Sequence, residues 1–195
     1  LRHRGVVAVR SGSAIVVAVV LTPRAAWSAA LIVAVFGFLV VEARRAARNE
    51  RRQRARGGVE PAGDVYGWMQ LAYPGAFAGM IAEGTLGDLP ARGVMLLGVA
   101  CFLGGKALKW WAIVALGPCW TFRIIVVPGT SPVRTGPYRF LAHPNYVGVV
   151  GELLGVALLI GARITGPIAM VVFGALMARR VTVENRARDA ILRRS

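Results

Sequence analysis

Two groups of residues in this 195-residue chain have types and spacing suited to chemistry. The first is the run Thr135-Gly-Pro-Tyr-Arg-Phe-Leu-Ala-His-Pro-Asn-Tyr-Val-Gly-Val-Val-Gly-Glu152. Gly136-Pro137 sets a turn, and His143-Pro144 puts proline at the first position of a helix, where its missing N–H costs nothing. The free N–H groups and dipole of a helix starting there favour an anion such as a carboxylate, beside Arg134, Arg139 and His143. Tyr138 and Tyr146 offer aromatic faces to a base or a sulfonium cation. Glu152 lies about two turns further along, inside an apolar run, where an ionisable side chain is rare and functional by default. Its competing role is structural, a pairing with a buried cation of another helix such as Lys106. Gly148, Gly151 and Gly155 make room either for a cofactor or for close helix packing. The second group is Arg180 and Glu184, which share one helix face. Taken alone, such a pair is more often an exposed ion pair worth about 0.3–0.5 kcal/mol.

The elements that position these groups follow from composition. The chain is 56% hydrophobic, yet its formal net charge is +15, from 24 Lys+Arg against 9 Asp+Glu. So much apolar surface excludes disorder, and it exceeds what a soluble nucleic-acid binder of this length needs, so no nucleic-acid partner is expected. The combination fits a membrane protein whose arginines stay on the cytoplasmic side. No G-x-G-x-x-G turn follows a predicted strand, and there is no P-loop, H-E-x-x-H or nucleophile elbow, which excludes a soluble Rossmann enzyme. Cys101 and Cys119 make neither a disulfide framework nor a zinc pattern, and His3 and His143 are far apart, so no metal site is expected.

Along the chain, Gly5–Thr22 is apolar but broken by Arg10, Ser11 and Ser13, and reads as a weak extra N-terminal span or a leader. Firmer spans follow at Ala25–Val41, Tyr66–Leu86, Ala91–Leu116, Pro144–Ile160 and Ile164–Ala178, the last two near the lower length limit for crossing a bilayer. The pattern predicts one domain over 1–195, an all-α polytopic membrane bundle of about five to six membrane helices. Glu42–Arg56 reads as a basic helix continuing out of the membrane, and Arg179–Arg194 as a second one. The irregular, proline-rich Gly117–His143 falls on the same side as both, facing the cytoplasm. Trp110, Trp111 and Trp120 read as an interfacial belt, and Arg24 and Arg163 as isolated charges on outer turns.

With these residues in view, Gly136-Pro-Tyr-Arg-Phe-Leu-Ala-His-Pro-Asn-Tyr-Val-Gly148 resembles the cofactor motif of the isoprenylcysteine carboxyl methyltransferases. Leu116-Gly-Pro-Cys-Trp-Thr-Phe-Arg-Ile-Ile-Val-Val127 and Arg180-x-x-x-Glu184 fall where that family has matching segments, and Arg48-Asn-Glu-Arg-Arg52 is similar to its bacterial members. The resemblance implies a membrane enzyme that binds S-adenosylmethionine in a cytoplasmic pocket and methylates a carboxyl or phenolic oxygen of a lipophilic acceptor arriving from the membrane lipids. It implies that residues 117–195 form the cofactor-binding and catalytic part. Tyr138, His143, Pro144, Tyr146 and Gly148 would line the cofactor site, with Glu152 added from its depth in the helix; Arg180 and Glu184 would meet the acceptor. Two positions depart from the family pattern: Ala142 stands where arginine is usual, and Asn185 where a second glutamate is frequent. The Ala, Arg, Val and Gly bias points to a GC-rich, bacterial source and hence a plasma-membrane location. Sterol-type reductases, which use NADPH, share a similar His-Pro-Asn-Tyr-x-Gly run and form the alternative.

Overall fold

A computed structural model describes residues 6–11, 14–19, 23–130 and 132–192. Its body is five α-helices: α1 (Pro23–Ala55), α2 (Tyr66–Leu86), α3 (Arg92–Leu116), α4 (Pro144–Ile160) and α5 (Thr165–Leu192). Before them, β1 (Val6–Ser11) and β2 (Ala14–Val19) pair antiparallel in the register Val6↔Val19 to Ser11↔Ala14. The expected weak helical span is therefore a hairpin in its described residues. The reason is local: valine and isoleucine dominate both segments, and β-branched side chains favour the pleated conformation.

Helix α1 joins an apolar first half to the basic block without a break, as the Arg/Ala pattern predicts. Its 33 residues extend about 50 Å against a hydrocarbon core of about 30 Å, so the basic half stands outside the bilayer. Helix α5 likewise fuses the last apolar run to the basic tail. Arg24 is not isolated: its Nε donates to the carbonyl of Gly84 at 3.0 Å, tying the start of α1 to the end of α2.

Among the described residues, three segments, 24–55, 92–119 and 165–187, are long and apolar enough to cross a membrane, fewer than the five or six expected. Helix α4 has 17 residues, at the lower limit, and α2 carries Pro74, Gln70 and Glu83 among its apolar residues. The outer surface of the bundle is nonetheless apolar: Val33, Leu71 and Val171 are more than 70% exposed, and Leu96, Leu103 and Ile168 more than half. A belt of this extent has no place in water and marks lipid contact. The chain is an integral membrane helical bundle.

Helices α3 and α4 form the tightest pair, and glycine is the reason. A Cβ on Gly105 would come within 2.7 Å of the Gly148 carbonyl, and one on Gly155 within 2.5 Å of the Phe102 nitrogen. The glycines of α4 thus serve backbone contact. The core between α2, α4 and α5 is built from Phe77, Met80, Leu153, Val156 and Phe173, all almost fully buried.

At the centre of the bundle four charges meet. Lys106 Nζ lies 3.1 Å from Glu42 and 2.9 Å from Glu152; Lys109 Nζ lies 2.7 Å from Glu42 and 3.5 Å from Glu152. The Tyr73 hydroxyl donates to Glu152 as well. The ring is electrically balanced and joins α1, α2, α3 and α4, so no single charge is left uncompensated at that depth.

Candidate functional site

The segment between α3 and α4 has little regular structure of its own and is held by its neighbours. Asn49 Nδ2 donates to the carbonyls of Gly117 (3.0 Å) and Trp120 (2.8 Å), and Gln53 Nε2 to that of Pro118 (3.0 Å). Val59 and Val126 exchange two backbone hydrogen bonds of 2.9 Å. Asp64 accepts from the backbone N–H groups of Tyr66 and Ile124, each at 3.0 Å. Arg123 closes the edge by pairing with Glu60 at 2.8 Å and Glu50 at 3.4 Å. Burial works against the Glu60 carboxylate, but hydrogen bonds from Arg123 and Arg54 outweigh it and hold its pKa below the usual value.

Within this frame lies a chamber of about 860 Å³. Its polar end is organised around Glu184. One carboxylate oxygen accepts from the Tyr146 hydroxyl and from Arg180 Nε at 3.3 Å; the other lies 3.5 Å from His143 Nδ1. Arg180 is buried at 6% exposure. Its remaining nitrogens reach Asp64 Oδ1 at 3.5 Å and the carbonyl of Phe122. Its fork therefore clamps α5 to the loop on one side and to Glu184 on the other. The His143 and Tyr146 rings stack with centroids 5.5 Å apart, 20° from parallel. Burial, then the Glu184 charge, raise the Tyr138 hydroxyl well above its ordinary pKa, so it stays protonated at neutral pH and can donate a hydrogen bond. The chamber continues along Phe36, Leu39 and Val40 of α1 and Phe173 of α5, where its walls are apolar.

The structure brings Tyr138, His143, Tyr146, Arg180 and Glu184 to this one chamber. Pro144, Gly148 and Glu152 do not line it, contrary to expectation. Pro144 is buried in the helix start. Gly148 faces Gly105 and Lys109, the nearest atom 2.8 Å from where a Cβ would stand. Glu152 sits in the four-charge ring; the electrostatic cost of its depth is offset there by Lys106 and Lys109. Trp120 leaves the expected belt as well: it is 3% exposed, and its indole nitrogen lies 3.4 Å from the Asn145 side chain. Asp64 is not among the expected site residues, and Asn49 and Gln53 figure in the sequence only within the basic segment Glu42–Arg56. For the last two, a signal existed: they are uncharged polar residues four apart in a helix otherwise dense in arginine, which marks an inward face.

A model described as the isoprenylcysteine carboxyl methyltransferase (ICMT) family matches residues 96–189. That stretch contains every one of the five residues gathered at the chamber's polar end. The uncharacterized protein YpbQ of Bacillus subtilis is 30% identical over 142 residues, covering 73% of this chain and 84% of its own. An uncharacterized protein of Haemophilus influenzae is 22% identical over 149 residues, covering 76% and 87%. Phosphatidylethanolamine N-methyltransferase B of Dictyostelium discoideum is 36% identical over 74 residues, covering 35% and 36%. No solved structure matches. On the family match and the extent of the YpbQ similarity, the chain belongs to the isoprenylcysteine carboxyl methyltransferase family.

Proposed function

We propose that this membrane methyltransferase uses S-adenosylmethionine and methylates a carboxyl or phenolic oxygen of a lipophilic acceptor. The observation that carries this reading is the convergence of Tyr146, His143 and Arg180 on Glu184, in a chamber that also has an apolar wall along Phe36, Leu39, Val40 and Phe173. The chamber volume, about 860 Å³, lies within the range of about 300–1,000 Å³ that cofactor sites occupy. The donor set fits: stacked aromatic faces and a carboxylate suit a sulfonium, and the protonated Tyr138 suits a polar cofactor group. S-adenosylmethionine, when bound, supplies a methyl group on a positively charged sulfur, which an oxygen nucleophile displaces in line.

The protein's part is alignment and exclusion of water. His143, Tyr146 and Tyr138 hold the cofactor. Arg180 orients the acceptor oxygen and fixes Glu184. Glu184 takes the proton when the acceptor is a phenol; a carboxylate acceptor needs no base. The apolar wall of Phe36, Leu39 and Val40 receives the acceptor's hydrocarbon part. The basic halves of α1 and α5 both lie at the chamber's polar end, which supports a chamber facing the cytoplasm of a bacterial plasma membrane. A second reading, methylation of a lipid amine, is favoured by the partial similarity to the Dictyostelium enzyme.

The test is transfer of a radiolabelled methyl group from S-adenosylmethionine by purified protein into a total bacterial lipid extract. Label in neutral or acidic lipids supports oxygen methylation; label released with the headgroup by phospholipase supports the amine. No transfer, together with NADPH-dependent reduction of a lipid in the same extract, would falsify the proposal.

A further inference from the structure

On another face of α1 a second hollow, about 550 Å³, shares no lining residue with the chamber. Arg44, Arg45, Arg48 and Arg52 line it, and no acidic residue does. The carboxylates of α1 are engaged elsewhere: Glu42 with Lys106 and Lys109, Glu50 with Arg54 and Arg123. Arg44, Arg48 and Arg52 follow at intervals of four along one helix face, where like charges repel. Four guanidinium groups in one concavity with no counter-charge among its described lining residues call for an anion, and the planar fork of arginine matches phosphate.

The hollow also has a definite height. Its apolar edge is Val41, the last residue of the apolar run of α1, 49% exposed. Trp110 flanks it with its ring 6.0 Å from the Arg45 guanidinium, and its indole N–H has no acceptor among the described residues. Tryptophan and arginine above exposed valine is the arrangement of a bilayer–water boundary. A ligand filling it has an anionic head among the arginines and apolar chains along Val41. We propose that this hollow binds the phosphate headgroup of an anionic membrane phospholipid. Gly117 and Pro118, which complete its wall, are the residues that Asn49 and Gln53 hold by their carbonyls; the next four, Cys119 to Phe122, line the chamber. A bound headgroup therefore braces the chamber wall from behind.

The experiment uses the full chain in nanodiscs of phosphatidylcholine and phosphatidylglycerol, with native mass spectrometry reading the lipid retained after release. The wild type is expected to retain phosphatidylglycerol over phosphatidylcholine by about tenfold, and R45Q/R48Q to lose that preference. R51Q removes the same type of charge from an exposed position of α1 outside the hollow and is expected to keep the preference. Should R45Q/R48Q fail to fold, R44Q/R52Q makes the same comparison. An equal loss in R51Q would mean a diffuse field and overturn the proposal. So would displacement of the lipid by millimolar inorganic phosphate, or a short RNA bound through these arginines without any lipid preference.

Discussion

At the scale of single residues the site turns on Glu184, which Tyr146 of α4, Arg180 of α5 and His143, just before α4, address at once. A carboxylate held this way keeps its position without being sealed off: its side chain is 28% exposed, against 7% for Arg180. Glu184→Gln keeps the shape and removes the base, so turnover on a phenolic acceptor is expected to fall by about 10²–10⁴. Steady-state kinetics and cofactor binding check this; an unchanged rate would remove Glu184 from the mechanism. Arg180→Ala is expected to cut turnover while leaving S-adenosylmethionine affinity largely intact, and Arg180→Lys should not restore it, because an ammonium cannot replace the fork. Collapse of cofactor affinity in Arg180→Ala would reverse the assigned roles. His143 and Tyr146 were legible in the sequence as candidates by their own chemistry, and Arg180 and Glu184 only through the family resemblance, since alone they read as an exposed ion pair. Asp64 was not: its partner Arg180 is far along the chain, and a lone carboxylate in a loop carries no local sign of a distant cation. Glu152 was legible in part. Its depth and its pairing with Lys106, the structural alternative, follow from the sequence, whereas Glu42 and Lys109 complete a ring that only the helix packing reveals.

At the scale of elements, α1 has three jobs along its length. Its apolar half faces lipid and the chamber, Glu42 enters the charge ring, and Asn49 and Gln53 hold the loop. Glu42→Ala leaves two ammonium groups facing one carboxylate and is expected to destabilise the fold by about 3–5 kcal/mol. Adding Lys109→Met should recover part of that loss in thermal unfolding; no recovery would mean that the ring is not a unit. Asn49→Ala strands two carbonyls and is expected to cost about 1–3 kcal/mol, with weaker cofactor binding as the wall loosens. Glu60 gives a pH prediction. Its folded pKa is depressed, so its stabilising contribution is present above the unfolded value of about 4.3 and is lost as pH falls through the lower folded value. Glu60→Gln should flatten the acid limb of the stability profile, and an unchanged limb would contradict the Arg123 clamp. Hydropathy located all five helices, because apolar runs and turns are local properties. It missed the hairpin, where apolar content and strand preference coincide in the same valines. It overcounted spans because length alone does not weigh Pro74, Gln70 and Glu83 in α2.

At the scale of the whole molecule, an exposed apolar belt, basic helix ends and a chamber at the basic end form one arrangement. In the proposed reaction, this arrangement would keep an acceptor's hydrocarbon part near lipid while its polar group meets a water-soluble cofactor. Cys119 is exposed and lines the chamber beside the basic segments. In a Cys101→Ser background, a membrane-impermeant maleimide is expected to label Cys119 in inside-out vesicles and not in right-side-out ones. The reverse pattern would place the chamber on the other side of the membrane.

The most direct test of the central claim is ligand-dependent thermal unfolding of the purified protein. S-adenosylmethionine at about 100 times its Kd is expected to stabilise it by about 2.7 kcal/mol, with no shift from NADPH. The shift should vanish in the His143→Ala/Tyr146→Ala variant. Stabilisation by NADPH instead, or an S-adenosylmethionine shift that survives unchanged in that variant, would contradict a cofactor chamber built on these residues.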